Sequence, residues 1–456
     1  MQRDGRPPQE EPDADGRAPR ERLWSGTFVL LVGVSLCAFL TGQGLNAGTS
    51  VYVEYYGHTA AYAGMLATAF SVASGLTRLL IGPAIDARGR RAVMLVGGIL
   101  LTAGTAAPLL AHQAAALTLF RLVQGIGFAA LSTAAATAAA DVLPTSRLGE
   151  GIGYFGLGQA LAMSVGPALA LALVATLPHE NLYAGFALAA AAGLVCAVLS
   201  RYEAHPETLP ASSEYRRLHE RRMRERAASA EAADGGTAAA PAGPRQHAQG
   251  TQGQRGLWRL LEKRALPGTA PLFLLTPAFG FAIYFIGLYG THLGLDNAGV
   301  FFTVSAITMV IVRLRSSALI DRLAPFRLFA VAAAAGVLAY GMLLLAGTAL
   351  AGGSACAPVF LAAGVPYGIC IGLALPTGQA VAVRNSPPER WGAATAMYQL
   401  APDIGCGVSA AVWGIVSDVA GFPATLCCVM ACICASLALA GTLWPHEPMA
   451  EDGAAS

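Results

Sequence analysis

Ala60-Ala-Tyr-Ala-Gly-Met-Leu-Ala-Thr-Ala-Phe-Ser-Val-Ala-Ser-Gly-Leu-Thr-Arg-Leu-Leu-Ile81 is followed at once by Gly82-Pro-Ala-Ile-Asp86-Ala-Arg88-Gly89-Arg90-Arg91. A largely apolar run thus ends in a knot of arginines. About 20 apolar residues cross the hydrocarbon core as a helix, because lipid offers no partner to unpaired backbone N–H and C=O groups. Eleven further stretches read the same way. They are Thr27–Gly48, Ala92–Ala111, Ala115–Ala139, Gly149–Leu173, Leu182–Leu199, Pro267–Tyr289, Ala298–Leu319, Leu328–Leu350, Ala357–Val381, Gly392–Val416 and Phe422–Leu443. The chain reads as an all-α membrane protein with twelve transmembrane helices.

Charge placement sets the direction of threading. The chain holds 29 Lys and Arg. Five arginines lie before the first span, Arg88, Arg90 and Arg91 follow the second, Arg147 follows the fourth, and a dense group follows the sixth. Arg322 and Arg327 come after the eighth, Arg384 and Arg390 after the tenth. The alternate connections, such as Val53–Thr59, Ala175–Asn181 and Gly290–Asn297, contain no Lys or Arg. Positive charge stays in the cytoplasm, so both termini are expected there. Arginine far outnumbers lysine and alanine is abundant, which points to a GC-rich bacterium and hence to its inner membrane. Residues 1–24 are polar and no secretory signal is expected among them.

Mean hydropathy is +0.54, charged residues make up 12% and net charge is +2. A balance so near zero gives no reason to expect a nucleic-acid partner. The nine cysteines sit mostly singly inside spans; Cys428 and Cys432 would share a helix face, but thiols packing between helices account for them without metal or disulfide. No nucleophile–base pair emerges, so neither an enzyme nor a bound cofactor is expected.

Composition divides the chain into a tail (1–24), a first six-helix bundle (25–201), a cytoplasmic linker (202–266), a second bundle (267–444) and a C-terminal tail (445–456). The linker opens with a basic helical stretch, Glu214–Arg226, suited to anionic lipid, and continues in Ala, Gly, Pro and Gln without apolar runs. The two bundles repeat. Thr77-Arg78…Asp86 recurs as Val312-Arg313…Asp321, 235 positions later. Pro144-Thr-Ser-Arg147-Leu-Gly149 recurs as Pro387-Pro-Glu-Arg390-Trp-Gly392, 243 positions later. A duplicated six-helix unit is a common plan for secondary transporters, with the substrate site between the halves.

Gly82-Pro-Ala-Ile-Asp86-Ala-Arg88-Gly89-Arg90-Arg91 resembles the loop signature of the major facilitator superfamily. Arg121-Leu-Val-Gln124-Gly125-Ile-Gly127 resembles the fourth-helix motif of its proton-coupled members, and Asp141 fits the inner end of that helix. Arg147–Leu157, Asn297–Phe302 and Asp403-Ile-Gly-Cys-Gly407 are similar to drug-efflux-like exporters, including those that export opine-type metallophores. The resemblance implies two pseudo-symmetric bundles, alternating access and proton antiport. Two departures stand against the pattern. Gly166-Pro167 is followed by Ala168-Leu-Ala170-Leu171 rather than a glycine pair, and the second loop signature lacks its glycine and carries Pro325.

The expected cytoplasmic gate comprises Gly82, Asp86, Arg88, Gly89, Arg90 and Arg91, with Asp141 and the second-half Asp321. Asp86, placed at a tight turn, can accept from backbone N–H groups at a helix N-terminus of the opposite half. Arg90 and Arg91 can pair with Asp141 or with lipid headgroups. Ionisable residues inside spans are costly and normally face a cavity or a partner. Asp403 lies near the bilayer centre, with Pro402 before it and Gln399 one turn away. Arg121 and Gln124 share a face of the fourth helix. Asp403 is suited to titrate or to hold a cation, Arg121 to hold a carboxylate; a structural ion pair is the alternative for either. Gln43, Asn46, Gln159, Tyr284 and Tyr289 are polar enough to line the cavity, though interhelical bonding explains each equally well. Arg78 and Arg313 read as ordinary interfacial charges, and His58, His112, His179 and His292 as surface residues. Gly151-Ile-Gly153-Tyr-Phe-Gly156 spells a dinucleotide fingerprint but follows no strand, so it reads as a helix-packing surface.

The sequence therefore predicts a monomeric secondary transporter exporting a small polar or amphiphilic organic molecule against inward proton flow. Proton-linked uptake, or a sensor that binds without transporting, are the alternatives.

Overall fold

The computed structural model describes residues 23–444 apart from 112, 145–146, 205, 211–212, 214, 218, 225–226, 228–262, 296 and 387–390. The first half contains α1 (Gly26–Tyr55), α2 (Ala60–Arg88), α3 (Arg90–Ala106), α4 (Ala114–Val142), α5 (Leu148–Thr176) and α6 (Asn181–Leu199). The second contains α7 (Leu266–His292), α8 (Val300–Arg322), α9 (Pro325–Gly347), α10 (Cys356–Ala362), α11 (Gly364–Arg384) and α12 (Trp391–Leu443). The short α10 runs into α11, and the two form one crossing.

Ten helical stretches are long and apolar enough to cross a membrane. The last, Leu400–Leu443, has 44 residues, about 66 Å of helix where a bilayer core spans about 30 Å. It holds two crossings and breaks between them at Gly421 (φ 79°). The 23-residue α8 is the remaining crossing. The described residues thus form an all-helical, twelve-span membrane fold.

Local chemistry starts and stops these helices. Ser25 caps α1 by accepting from the Phe28 N–H at 3.1 Å, and Thr59 caps α2 by accepting from Tyr62 at 3.3 Å. The helix α2 continues through Gly82 and Asp86 to Arg88, beyond the apolar run. The expected tight turn at Asp86 falls instead at Gly89, whose φ of 90° favours a residue without a Cβ. Asp86 therefore stands on the last turn of a helix.

Leu80, Val96, Leu188, Ile307 and Leu338 are all exposed on the outer faces of the bundle, which only an apolar solvent tolerates in such number. Within the first half, α1 packs on α5, α6 and α4, and α3 on α4 and α6. In the second, α7 packs on α12, and α11 on α8 and α9. Small residues bring backbones close, as membrane helices require in the absence of hydrophobic drive. The halves meet along α2 and α12, α1 and α7, and α5 and α8.

At Gly97 in α3, an added Cβ would lie 2.5 Å from the Leu131 backbone nitrogen of α4. Gly97→Val should therefore cost about 1–3 kcal/mol through overpacking. Thermal unfolding of purified protein in detergent checks this, with a lowered midpoint expected. Gly82→Val, where nothing lies within 4 Å of the added Cβ, should lower it far less.

Candidate functional site

A cavity of about 240 Å³ opens between the halves. It is smaller than the roughly 300–1,000 Å³ of drug-sized sites. Aromatic side chains from both halves form its walls, among them Phe39, Phe70, Phe128, Phe279 and Tyr367. Among the described residues, its charged lining side chains are Arg78, Arg313 and Asp403.

Arg78 belongs to α2 and Asp403 to α12, so their contact crosses from one half to the other. The Arg78 Nε lies 2.7 Å from Asp403 Oδ2, with both side chains only partly exposed. Arg78 is held from its own half: Nη1 donates to Thr133 Oγ1 at 3.2 Å, Nη2 donates to Ser132 Oγ at 3.1 Å, and its carbon sits 5.3 Å from the Phe128 ring centre. Two α4 hydroxyls and an aromatic face therefore aim the guanidinium across the interface. Such charge-assisted contacts strengthen where water is excluded.

Other contacts between the halves lie toward the end of the bundle that carries Glu54. The Ala60 and Ala61 N–H groups donate to the Asp418 carboxylate at 3.2 and 2.9 Å. Thr68 Oγ1 donates to the Gly407 carbonyl at 2.6 Å, and the Ser71 and Tyr284 hydroxyls are 3.0 Å apart. Glu54 accepts from Thr291 Oγ1 at 3.1 Å and faces His292 Nε2 at 3.6 Å. Among the described contacts on α2, Arg78 is the one nearest Arg88, ten residues or about 15 Å away.

Asp418 was not singled out in the sequence. Its carboxylate meets the N-terminus of α2 from the opposite half, where the helix dipole favours an anion. This is the chemistry expected of Asp86, found at the other end of the bundle. The side chains of Asp86, Asp321 and Gln399 lie outside the described residues.

Gln43, Asn46, Gln159, Tyr284 and Asp403 line the cavity. Gln159 Nε2 donates to Ser35 Oγ at 3.1 Å. Arg121 and Gln124 stand one layer back. Arg121 is 2% exposed, donates to Asn46 Oδ1 and, at 3.0 Å, to Gln124 Oε1, and lies 4.7 Å from the Phe70 ring centre. Gln124 Nε2 donates to the Gly104 carbonyl at 2.9 Å. The pair therefore positions Asn46, which does face the cavity. Tyr289 is turned into the second half, donating to the Leu343 carbonyl at 3.0 Å and packing on Phe360 and Phe422.

Arg78 and Arg313 correct the sequence reading, which left both as interfacial charges. Each lines the cavity. Their equal placement in the two repeats was the available signal, because a polar position retained in both copies of an apolar helix faces a shared interior.

At the arginine-rich end, Arg90 donates through Nε to Asp141 Oδ2 at 3.0 Å, with 1% and 3% of the two side chains exposed. Asp141 Oδ1 also accepts from Ser213 Oγ at 3.3 Å and from the Tyr215 N–H at 3.2 Å, so linker residues join the pair. Arg91 instead donates through Nη2 to the Val198 carbonyl, and its N–H donates to Glu203 Oε1. Gly89 is buried against Glu203, while Gly82 and Arg88 are exposed.

Two halves of membrane-spanning helices thus enclose a charged, aromatic cavity. The Major Facilitator Superfamily model matches residues 31–356, and the chain belongs to that family. It is 22% identical over 163 residues to a probable L-galactonate transporter of Escherichia coli (strain K12), covering 36% of each chain. It is 29% identical over 142 residues to the uncharacterized MFS-type transporter YhcA of Bacillus subtilis (strain 168), covering 31% of this chain and 26% of that one. The matches thus span about a third of the length of these curated relatives. Among solved structures, a POT family transporter in complex with 5-aminolevulinic acid aligns with a TM-score of 0.67 at 14% identity, covering 91% of this chain and 94% of the other. The nucleoside transporter NupG aligns with a TM-score of 0.60 at 14% identity, covering 92% and 98%. The protein is therefore an all-helical membrane protein of this superfamily.

Asp141→Asn leaves a buried arginine without its charge partner and should cost about 3–5 kcal/mol. Arg91→Ala removes only an exposed bond and should cost under about 1 kcal/mol. Thermal unfolding of both variants in detergent measures the contrast.

Proposed function

We propose that this chain is a proton-coupled secondary transporter of a small polar or amphiphilic organic molecule, working by alternating access. The observation that carries the reading is the Arg78–Asp403 pair, which joins the two halves inside the cavity. A proton on Asp403 removes the charge that holds Arg78, and a bound substrate competes for the same groups. Either event loosens the deepest tie between the halves, so occupancy of the cavity biases rocking.

With the arginine-rich end in the cytoplasm, as the loop charges favour, the Glu54–Asp418 end is external. The described contacts then tie the halves together on the outside. The fourth-helix motif favours proton coupling, and the likeness of Arg147–Leu157, Asn297–Phe302 and Asp403–Gly407 to drug-efflux-like exporters favours export. A second reading, proton-linked uptake, draws support from the described lining, which carries Arg78 and Arg313 with Asp403. A proton on Asp403 makes that lining more positive still, so an anionic substrate and a proton would bind together rather than in turn.

Proteoliposomes challenged with a library of small acids, amines and sugars test the coupling. The wild type should accumulate at least one compound about tenfold more with an imposed pH gradient than with the gradient collapsed. Asp403→Asn should abolish that gain while still exchanging the compound across the membrane. Identical transport with and without the gradient contradicts the coupling, and the gradient polarity that drives accumulation gives the direction.

A further inference from the structure

The cavity lining keeps hydrogen-bonding capacity of both kinds unused. Among the described residues, Arg78 Nε, Ser74 Oγ, Gln43 Oε1 and Asp403 Oδ2 are buried without a hydrogen-bond partner. All four side chains line the cavity. Arg78 Nε and the Ser74 hydroxyl can donate, while Gln43 Oε1 and the ionised Asp403 Oδ2 can only accept. Buried polar groups are normally satisfied, so an open set of donors and acceptors around a cavity points to a ligand that completes it.

The contact between Arg78 and Asp403 has the same incomplete character. Nε and Oδ2 lie 2.7 Å apart, yet the N–H is not aligned with the oxygen, so the charges meet without a hydrogen bond. Nη1 and Nη2 are turned to Thr133 and Ser132 of α4, which fixes the guanidinium and leaves the Nε edge for another partner. Both side chains reach the cavity, with 14% of Arg78 and 22% of Asp403 exposed. Ser74, only 1% exposed, stands one turn before Arg78 on the same face of α2.

Charge selects among the ligands that could fill this set. An anion that draws Arg78 away leaves the Asp403 carboxylate without its charge partner in a membrane interior. A cation at Asp403 strands Arg78 in the same way. A molecule carrying both charges replaces the internal pair with two new ones and strands neither. Arg78 and Asp403 are in contact, so the two charges of that molecule must lie close together, as in an amino acid.

We infer that the cavity takes a small amino acid or a similar zwitterion, its carboxylate on Arg78 and Ser74 and its ammonium on Asp403. The inference rests on the transporter reading for its consequence, since the bound zwitterion is the cargo. The planar edge of arginine suits a carboxylate, and Gln43 Oε1 adds an acceptor for the ammonium. The substrate's side chain then lies against aromatic walls such as Phe128 and Phe279, and a volume of about 240 Å³ limits it to metabolite size.

Compounds that lack one charge test this most sharply. Purified full-length protein is titrated by thermal shift with leucine and phenylalanine. Each is compared with the acid lacking its ammonium (isocaproate, hydrocinnamate) and with the amine lacking its carboxylate (isoamylamine, phenethylamine). Every compound is then followed in proteoliposome exchange, alongside a set of sugars.

Wild type is expected to bind at least one amino acid about tenfold more tightly than either of its single-charge partners. Asp403→Asn should bind the acid at least as well as the amino acid, and Arg78→Gln should bind the amine at least as well. Preferences lost in opposite directions separate the two charges from general damage to the fold. The double variant R78Q/D403N strands no charge, so it should fold even where a single variant does not, and it should keep neither preference. Wild type that binds neither amino acid better than its single-charge partners overturns the site. So does a double variant that keeps the wild-type preference. Exchange of acids, amines or sugars without the amino acids overturns the zwitterion site and leaves the transporter reading. Amino-acid binding with the expected variant pattern, but no exchange of any compound, supports the site and overturns the transporter reading.

Discussion

A charged pair inside a membrane protein must be held from both sides, and Arg78–Asp403 is held by two different bodies. The arginine is fixed to the first half by Ser132, Thr133 and Phe128, while the aspartate rides on α12 of the second. Separating the halves at this depth pulls the charges apart where water is scarce. Neutralising either charge lowers that penalty. The packing of α2 on α12 sets the distance, and both residues line the cavity.

The remaining contacts between the halves give the pair its leverage. Asp418 on the α2 N-terminus, Thr68 on the Gly407 carbonyl, and Glu54 facing Thr291 and His292 tie one end of the bundle together. At the opposite end, Arg90 and Asp141 bond within the first half and to its linker.

The architecture was legible because hydrocarbon enforces it. Unbroken apolar stretches of span length have one soluble alternative at most, and the alternating arginines left little freedom in their number. The site was legible in part. Asp403 stood out as an acid in an apolar helix, and the structure places it in the cavity. Arg121 stood out for the same reason, yet it is sealed behind Phe70, because sequence gives the helix face but not the layer. Arg78 and Arg313 were passed over because they lie near predicted span ends, where arginine is ordinary. The helices run further than their apolar stretches, to Arg88 in α2 and Arg322 in α8, and so both residues fall inside the bundle. Asp418 escaped notice because its partner is a backbone terminus on the other half, which no side-chain pattern announces.

The proposed coupling rests on protonation of Asp403 altering how the two halves sit. Spin labels at Arg88 and Leu323, exposed at the arginine-rich end of each half, report that separation by pulsed electron resonance in a cysteine-free background. Acidification should redistribute the distances in the parent protein, while Asp403→Asn should show one distribution at every pH. An unchanged pH response in Asp403→Asn would contradict the coupling directly.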